Sequence, residues 1–353
     1  MRSSPPMADA TLLDLSPDAL EARLAALGHP AYRARQIAVA VFRQLVSSYD
    51  EITTLPAELR HELAARLPFT PCEPMDSVQT ADGATRKTLY RLQDGETIET
   101  VVMEYPDRFT VCVSSQVGCA VACPFCASGR GGWVRDLTPG EIVSQVLHAA
   151  RAAAAVGRRL TNVVYMGMGE PLANYESVLA SLRIENDPRA LGLGARSFTL
   201  STAGDAPGIL RLAAEPLQVN LAVSLHAGDD ALRSALIPLN RHYPLDELLR
   251  ACHSYVEITH RRVTFEIALI DGMNDDRRCA AAVAARLRGL LCHVNLIPWN
   301  PIPQLEWRRS RAAAVEAYEK TLSDVGIPTT VRDSRGVEIE AGCGQLRARP
   351  ATR

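Results

Sequence analysis

No run of about 18 apolar residues occurs in the chain, so no segment has the length of a membrane-crossing helix. The first ten residues lack the basic-then-apolar order of a secretion signal, and the expected location is cytoplasmic, with no membrane partner. An excess of one charge is missing as well. The 38 Lys and Arg nearly balance 40 Asp and Glu, and the net charge of −2 excludes attraction of nucleic acid by a global basic field. Local patches remain: Arg33 with Arg35, His260-Arg261-Arg262, and Arg308-Arg309 with Arg311, each of which alone reads as a solvated face. A disulfide framework is the last absence. Nine scattered cysteines, an odd number without a secretion signal, favour metal ligation or thiol chemistry instead. With 47% apolar and 22% charged residues, disorder is not the default, and 353 residues suffice for one large core plus a small appended domain.

The pattern is helical over residues 16–67: Ser16-Pro17 can open a helix that Gly28 closes, apolar positions recur at helical spacing over 37–46, and Thr54-Leu55-Pro56 begins another helix. Short alternating runs separated by Asp82-Gly83 and Asp94-Gly95 then predict a β-meander. Further on, β-rich runs at 110–114, 162–166, 198–201, 219–224, 264–270 and 293–298 alternate with helical stretches, which implies parallel strands joined by crossovers. In Thr138-Pro139-Gly140-Glu141 the threonine and glutamate form a capping box around a proline at the first helical position. The expected fold is α/β, a partial (β/α)6 barrel; a doubly wound sheet stays open, because strand order is not readable from the sequence. The expected division is a disordered start (1–14), a helical amino-terminal domain (15–75), a meander extension (76–105), the barrel (106–347) and a tail (348–353).

Gly118-Cys119-Ala120-Val121-Ala122-Cys123-Pro124-Phe125-Cys126 sets CxxxCxxC spacing in the loop after the first barrel strand. Three thiolates so close together can hold three corners of a 4Fe-4S cubane and leave one iron open to chelate a substrate. A structural zinc would want a fourth ligand, and His148 on the following helix reads as surface or packing. Phe125 either shields the cluster or is a core aromatic. The spacing resembles the signature of the radical S-adenosylmethionine superfamily, in which the cofactor's methionyl amine and carboxylate bind the open iron and its sulfonium is cleaved to a 5′-deoxyadenosyl radical. Gly169 and Glu170 in Gly167-Met168-Gly169-Glu170-Pro171, Ser201, Ser224-Leu225-His226 and Asn300 all fall at expected strand carboxyl ends, where barrel enzymes assemble their sites. Glu170 can accept from the methionyl amine, while serine, histidine and asparagine offer neutral polar contacts. Singly these are turns or satisfied hydroxyls; behind the cysteine loop they read together as a cofactor pocket.

Cys72, Cys252, Cys279 and Cys292 read as small buried hydrophobes. Cys343 differs, because flanking glycines in Gly342-Cys343-Gly344 leave it open to act as a nucleophile toward an electrophilic methyl. Cys112 lies seven residues before Cys119. The runs Val113-Ser114-Ser115-Gln116-Val117-Gly118-Cys119, Met166-Gly167-Met168-Gly169-Glu170-Pro171-Leu172, Ser224-Leu225-His226-Ala227, Asn295-Leu296-Ile297-Pro298 and Cys343-Gly344-Gln345-Leu346, in this order, resemble the RlmN and Cfr family of dual-specificity RNA methyltransferases over residues 15–347.

That resemblance implies an unusual reaction on an adenine carbon that is neither acidic nor nucleophilic. One S-adenosylmethionine methylates Cys343; a second, at the cluster held by Cys119, Cys123 and Cys126, yields the radical that takes hydrogen from the S-methyl group. The carbon radical adds to the base, Glu99 removes the ring proton, and Cys112 releases the product by forming a disulfide with Cys343. The implied partners are 23S ribosomal RNA, with transfer RNA as a further substrate, and an electron donor such as flavodoxin or ferredoxin. Methylation at carbon 2 is the expectation and Cfr-type methylation at carbon 8 the alternative within the family; a radical activase, or a cluster protein that only binds RNA, are the alternatives outside it. Trp133, Asp136 and Ala203 depart from the family pattern, where phenylalanine, asparagine and serine are commoner, and put fine pocket contacts in doubt.

Overall fold

The computed structural model describes residues 10–303, 305–332 and 334–347. The expected tail lies outside them, as does the expected disordered start up to residue 9; within that start, Leu12 and Leu13 are buried in a short 3-10 turn. Three helices follow, α1 (Pro17–Ala26), α2 (Tyr32–Phe42) and α3 (Ala57–Arg66). Ser16 caps α1 by accepting from the Ala19 amide at 3.2 Å. Ala34, Ile37, Ala38 and Val41 give α2 one buried face, packed with Leu20, Leu24, Leu59 and Leu63 in a core of their own. Val143 and Leu147 join that core from α5 (Pro139–Ala155), whose capping box forms as the sequence predicts, so the helical domain sits on the first barrel helix.

The meander strands are β1 (Cys72–Gln79), β2 (Thr85–Leu92) and β3 (Thr97–Glu104), joined by turns in which Gly83 and Gly95 take φ of +70° and +88°. β4 (Phe109–Cys112) then pairs antiparallel with β3, Val101 opposite Cys112, so the meander is continuous with the barrel sheet rather than a separate extension. A two-stranded ribbon absent from the sequence expectation, β5 (Gln116–Gly118) with β6 (Trp133–Asp136), brackets the cysteine loop, in which α4 (Ala127–Arg130) is a single turn.

The remaining strands are β7 (Asn162–Tyr165), β8 (Phe198–Thr202), β9 (Asn220–Ser224), β10 (Val263–Leu269), β11 (Cys292–Pro298) and β12 (Thr329–Val331). They lie in the order β4-β7-β8-β9-β10-β11-β12, all parallel. Each strand adds beside the one before it, with no reversal of direction, which settles the open alternative: the sheet is a partial barrel and not doubly wound. β12 is a seventh parallel strand that a three-residue Thr-Thr-Val run gave little reason to expect. No helix among the described residues is long and apolar enough to cross a membrane.

Candidate active site

The loops at the carboxyl ends of these strands enclose one cavity. Cys119, Cys123, Cys126, Gly169, Glu170, Ser201, Ser224, His226, Asn300 and Cys343 line it together, although they are spread over more than 220 residues of sequence. Burial, first, and then the proximity of the other cysteines raise the Cys123 thiol far above its ordinary range, and burial pushes Cys119 to about 12. Cys119 and Cys123, buried side by side, are poor thiolates until a cation neutralises them. Among the described residues no three His, Cys, Asp or Glu side chains converge as the shell of a single ion. A cubane asks for something else, one thiolate at each of three separate irons. His148, the conceivable zinc ligand, instead packs edge-on to Tyr90, centroids 5.3 Å apart.

Glu170 is fully enclosed. Its carboxylate accepts from the Ala203 amide at 2.7 Å and from the Leu172 amide at 3.1 Å, while its own amide donates to Gln116 Oε1 at 2.9 Å. Burial pushes its pKa up to about 7 against the pull of those amides. His226 takes a left-handed φ of +59°. Its Nδ1 accepts from the Ala268 amide at 2.9 Å, so the neutral ring carries its proton on Nε2; burial and then the Arg233 charge depress its pKa to about 3. The Phe125 ring meets His226 edge-on at 4.8 Å, and Trp299 Nε1 donates to the Phe125 carbonyl at 3.1 Å, so Phe125 both walls the cavity and packs. Asn300 donates to the Cys343 carbonyl at 3.1 Å, and its Oδ1 is buried without a partner. A buried, unpaired oxygen facing a cavity fits a bound ligand bearing N–H groups, as adenine does.

Cys343 stands in a carboxyl-terminal loop clamped on both sides. Gly344 O accepts from the Ala127 amide at 2.7 Å, Leu346 O accepts from Ser128 at 2.6 Å, and the Gln345 side chain reaches the Pro301 carbonyl at 2.8 Å. The flanking glycines are required by this clamp: a Cβ on Gly342 would come within 2.8 Å of Asn300 and Gln345, and Gly344 has φ of +82°. Cys112 and Cys343 share a second, adjoining cavity with Arg332. Burial and then Cys343 push Cys112 to about 12; burial also raises Cys343, and Arg332 draws it back. All nine cysteines are free, so the Cys112–Cys343 disulfide that the resemblance implies is not formed here.

Two expected residues lie elsewhere. The Leu225 side chain is buried in the main core and only its backbone serves the site, its carbonyl accepting from Arg233 Nε at 3.2 Å. Glu99 lines a different cavity, beside Asp76, Glu338 and Glu340. There its carboxylate meets Lys87 Nζ at 3.2 Å and accepts from the Arg347 amide at 2.7 Å, which ties it to the segment carrying Cys343 rather than to the cavity of the thiols. The departures from the family pattern cost little. Ala203 works through its backbone, and Asp136 accepts from Gln116 Nε2 at 2.7 Å, which holds Gln116 against Glu170.

Arg233 was not legible as part of the site. Fully buried, it donates to the carbonyls of Ala203 (2.7 Å), Ser224 (3.0 Å) and Leu225 and to Asn240 Oδ1 (2.7 Å), pinning the loops after β8 and β9 together. Its place on a short amphipathic helix gave no sign of this. Arg233→Met leaves several buried acceptors unpaired, each costing about 1–3 kcal/mol. The expected outcome is a loss of about 3 kcal/mol or more in unfolding free energy, read by denaturant titration; a loss under about 1 kcal/mol would contradict the pinning role.

Three thiols on one loop, with a buried carboxylate and strand-end polar groups lining the same cavity, make the site of a radical S-adenosylmethionine enzyme. Residues 113–282 match the Radical SAM superfamily, and residues 10–67 match the Ribosomal RNA large subunit methyltransferase N-terminal domain. Two relatives, each a "Probable dual-specificity RNA methyltransferase RlmN", are 51% identical in Frankia alni (97% of this chain, 84% of that one) and 48% identical in Chloroflexus aurantiacus (96% and 93%). A solved radical SAM methyltransferase from Sphaerobacter thermophilus superposes with a TM-score of 0.95 at 57% identity, over 96% of this chain and 99% of that one. The chain belongs to the RlmN family of dual-specificity RNA methyltransferases.

Proposed function

We propose that the protein methylates carbon 2 of an adenosine in 23S ribosomal RNA, and in transfer RNA as a second substrate, in the cytoplasm, through a methyl group carried on Cys343. The observation that carries this reading is the pair of adjoining cavities: Cys343 lines both, with the three-cysteine loop in one and Cys112 in the other. Cys119, Cys123 and Cys126 would hold a 4Fe-4S cluster that, with S-adenosylmethionine, would supply hydrogen-abstracting radical chemistry, with two S-adenosylmethionine molecules used per turnover. Gly169, Glu170, Ser201, Ser224, Leu225 through its backbone, His226 and Asn300 orient that cofactor.

Cys343 sulfur attacks the sulfonium methyl carbon of S-adenosylmethionine, its thiol proton going to solvent and S-adenosylhomocysteine leaving, and the S-methyl group then gives up one hydrogen atom. The carbon so generated bonds to the ring, and rearomatisation releases one electron to a one-electron acceptor of iron–sulfur type and the ring proton to the base assigned to Glu99. This last assignment requires the Arg347 contact to open, since Glu99 is held at 2.7 Å by that amide. Cys112 then attacks Cys343 sulfur; the carbon–sulfur bond breaks, the methyl carbon takes up a proton, and the disulfide is reopened by two electrons from a donor of flavodoxin, ferredoxin or thiol type. Burial keeps Cys112 a neutral thiol until the adduct exists.

Carbon 2 over carbon 8 is supported by the complete helical domain over residues 10–67. Chromatography with mass detection of RNA from cells with and without the gene tests it: 2-methyladenosine is expected to disappear with the gene, and loss of 8-methyladenosine alone would overturn the assignment. Glu170 adds a pH dependence. Its carboxylate must be ionised to accept from the methionyl amine, and with a pKa of about 7 the ionised fraction falls on acidification. Affinity for S-adenosylmethionine is expected to weaken about tenfold from pH 8 to pH 6, by calorimetry on the anaerobic protein, and to be flat in Glu170→Gln.

A further inference from the structure

Glu266 belongs to no step above, yet one of its oxygens has nothing to bind. It lies in mid-strand β10, opposite Ser224 on β9 and Asn295 on β11. Oε1 accepts from Asn295 Nδ2 at 2.9 Å and stands 3.7 Å from Arg332 Nη1. Oε2 is buried without a hydrogen-bond partner among the described residues. A carboxylate oxygen in that state is costly unless a donor arrives, so the question is which ligand brings one.

Glu266 lines the cysteine cavity and also a third, polar cavity lined by Thr199, Asn220 and Thr264 near the starts of successive strands, at the end of the barrel opposite the cysteine loop. Arg108, Arg262, Arg332 and Arg335 line the third cavity, with Glu266 as its one carboxylate among the described residues. The Tyr105 ring at its edge is faced by Arg108 at 4.0 Å and by Arg335 at 4.3 Å. Four guanidinium groups against one carboxylate form the local positive field that the net charge of −2 denies to the molecule as a whole, and phosphodiesters are what such a field suits. S-adenosylmethionine, itself cationic at sulfur, gains nothing there. The arginine-lined cavity on this side of Glu266 favours a donor from RNA, and the 6-amino group is the only N–H donor that adenine in RNA possesses.

We propose that Glu266 is a specificity-determining residue, accepting a hydrogen bond from the 6-amino group of the target adenine at the inner end of an arginine-lined entrance. This rests on the RNA-methylation reading. It also predicts discrimination against 6-oxo purines, whose carbonyl would face the carboxylate lone pairs.

The test uses the reconstituted full-length protein and a protein-free 23S ribosomal RNA fragment with adenosine or purine riboside, which lacks the amine, at the target position. For the wild type, kcat/KM is expected to fall about ten- to hundredfold on the purine substrate. Glu266→Gln is expected to lose a similar factor on adenosine and to separate the two substrates by less than about threefold. Equal rates of the wild type on both substrates, a comparison that needs no variant, would overturn the proposal. So would undiminished discrimination in Glu266→Gln, or loss by that variant of RNA-independent methylation of Cys343, which would assign Glu266 to the cofactor. A wild type inactive on adenosine RNA would instead sink the parent reading.

Discussion

Cys343→Ala is expected to abolish RNA methylation, by at least about a thousandfold, while the protein still binds iron and still cleaves S-adenosylmethionine on reduction. The split follows from geometry. Cys343 lines the cavity of the cluster cysteines but is supplied by a separate carboxyl-terminal loop, clamped to them through backbone contacts at Gly344 and Leu346 that alanine preserves. Removing the sulfur removes the carbon carrier and leaves the radical machinery. Cys112→Ala is expected to fail later, after the carbon–carbon bond has formed, so a covalent protein–RNA species should accumulate on denaturing gels. If Cys343→Ala formed methylated adenosine at an undiminished rate, the carrier role would be excluded, and a radical enzyme that works without a protein thiol would take its place.

Replacement of Cys119, Cys123 or Cys126 by alanine is expected to have an equally large effect of a different kind. Two remaining thiolates cannot hold three corners of a cubane, so iron content, the visible absorption of the cluster and 5′-deoxyadenosine formation should all be lost together. Methylation of Cys343 should be lost with them to the extent that the cofactor is anchored at the open iron. Folding should survive, because these side chains line the cavity and a small satellite cluster with Val121 and Trp299, outside the main core. A variant that kept iron and radical cleavage would place the cluster elsewhere.

The parts of this site that were legible in the sequence are those in which residue type and spacing carry the chemistry. CxxxCxxC is local, and three sulfurs within eight residues have few other uses. The strand-end loops were legible because parallel strands with helical crossovers put every carboxyl end on one face, which is why Glu170, Ser201, Ser224, His226 and Asn300 meet although no motif links them. What escaped depends on direction within an element. Leu225 follows Ser224 on the strand and so points to the opposite side, into the core. Glu99 lies on the same face of β3 as Val101, which lines the Cys112 cavity, but two residues earlier along the strand, where Lys87 and the Arg347 amide hold its carboxylate; position along a strand, unlike the face, is not marked by residue type. Arg233 and Glu266 were silent because a single charged residue in a helix or strand does not announce that it is buried. The β5–β6 ribbon escaped because its two halves are separated by the cysteine loop itself.

The central claim is that the methyl carbon passes through Cys343 and loses one hydrogen there before it reaches RNA. Turnover with S-adenosylmethionine bearing a trideuterated methyl group tests it most directly. The account predicts a methyladenosine retaining two deuterium atoms, the third recovered in 5′-deoxyadenosine. A product methyl group that kept all three deuterium atoms would contradict it.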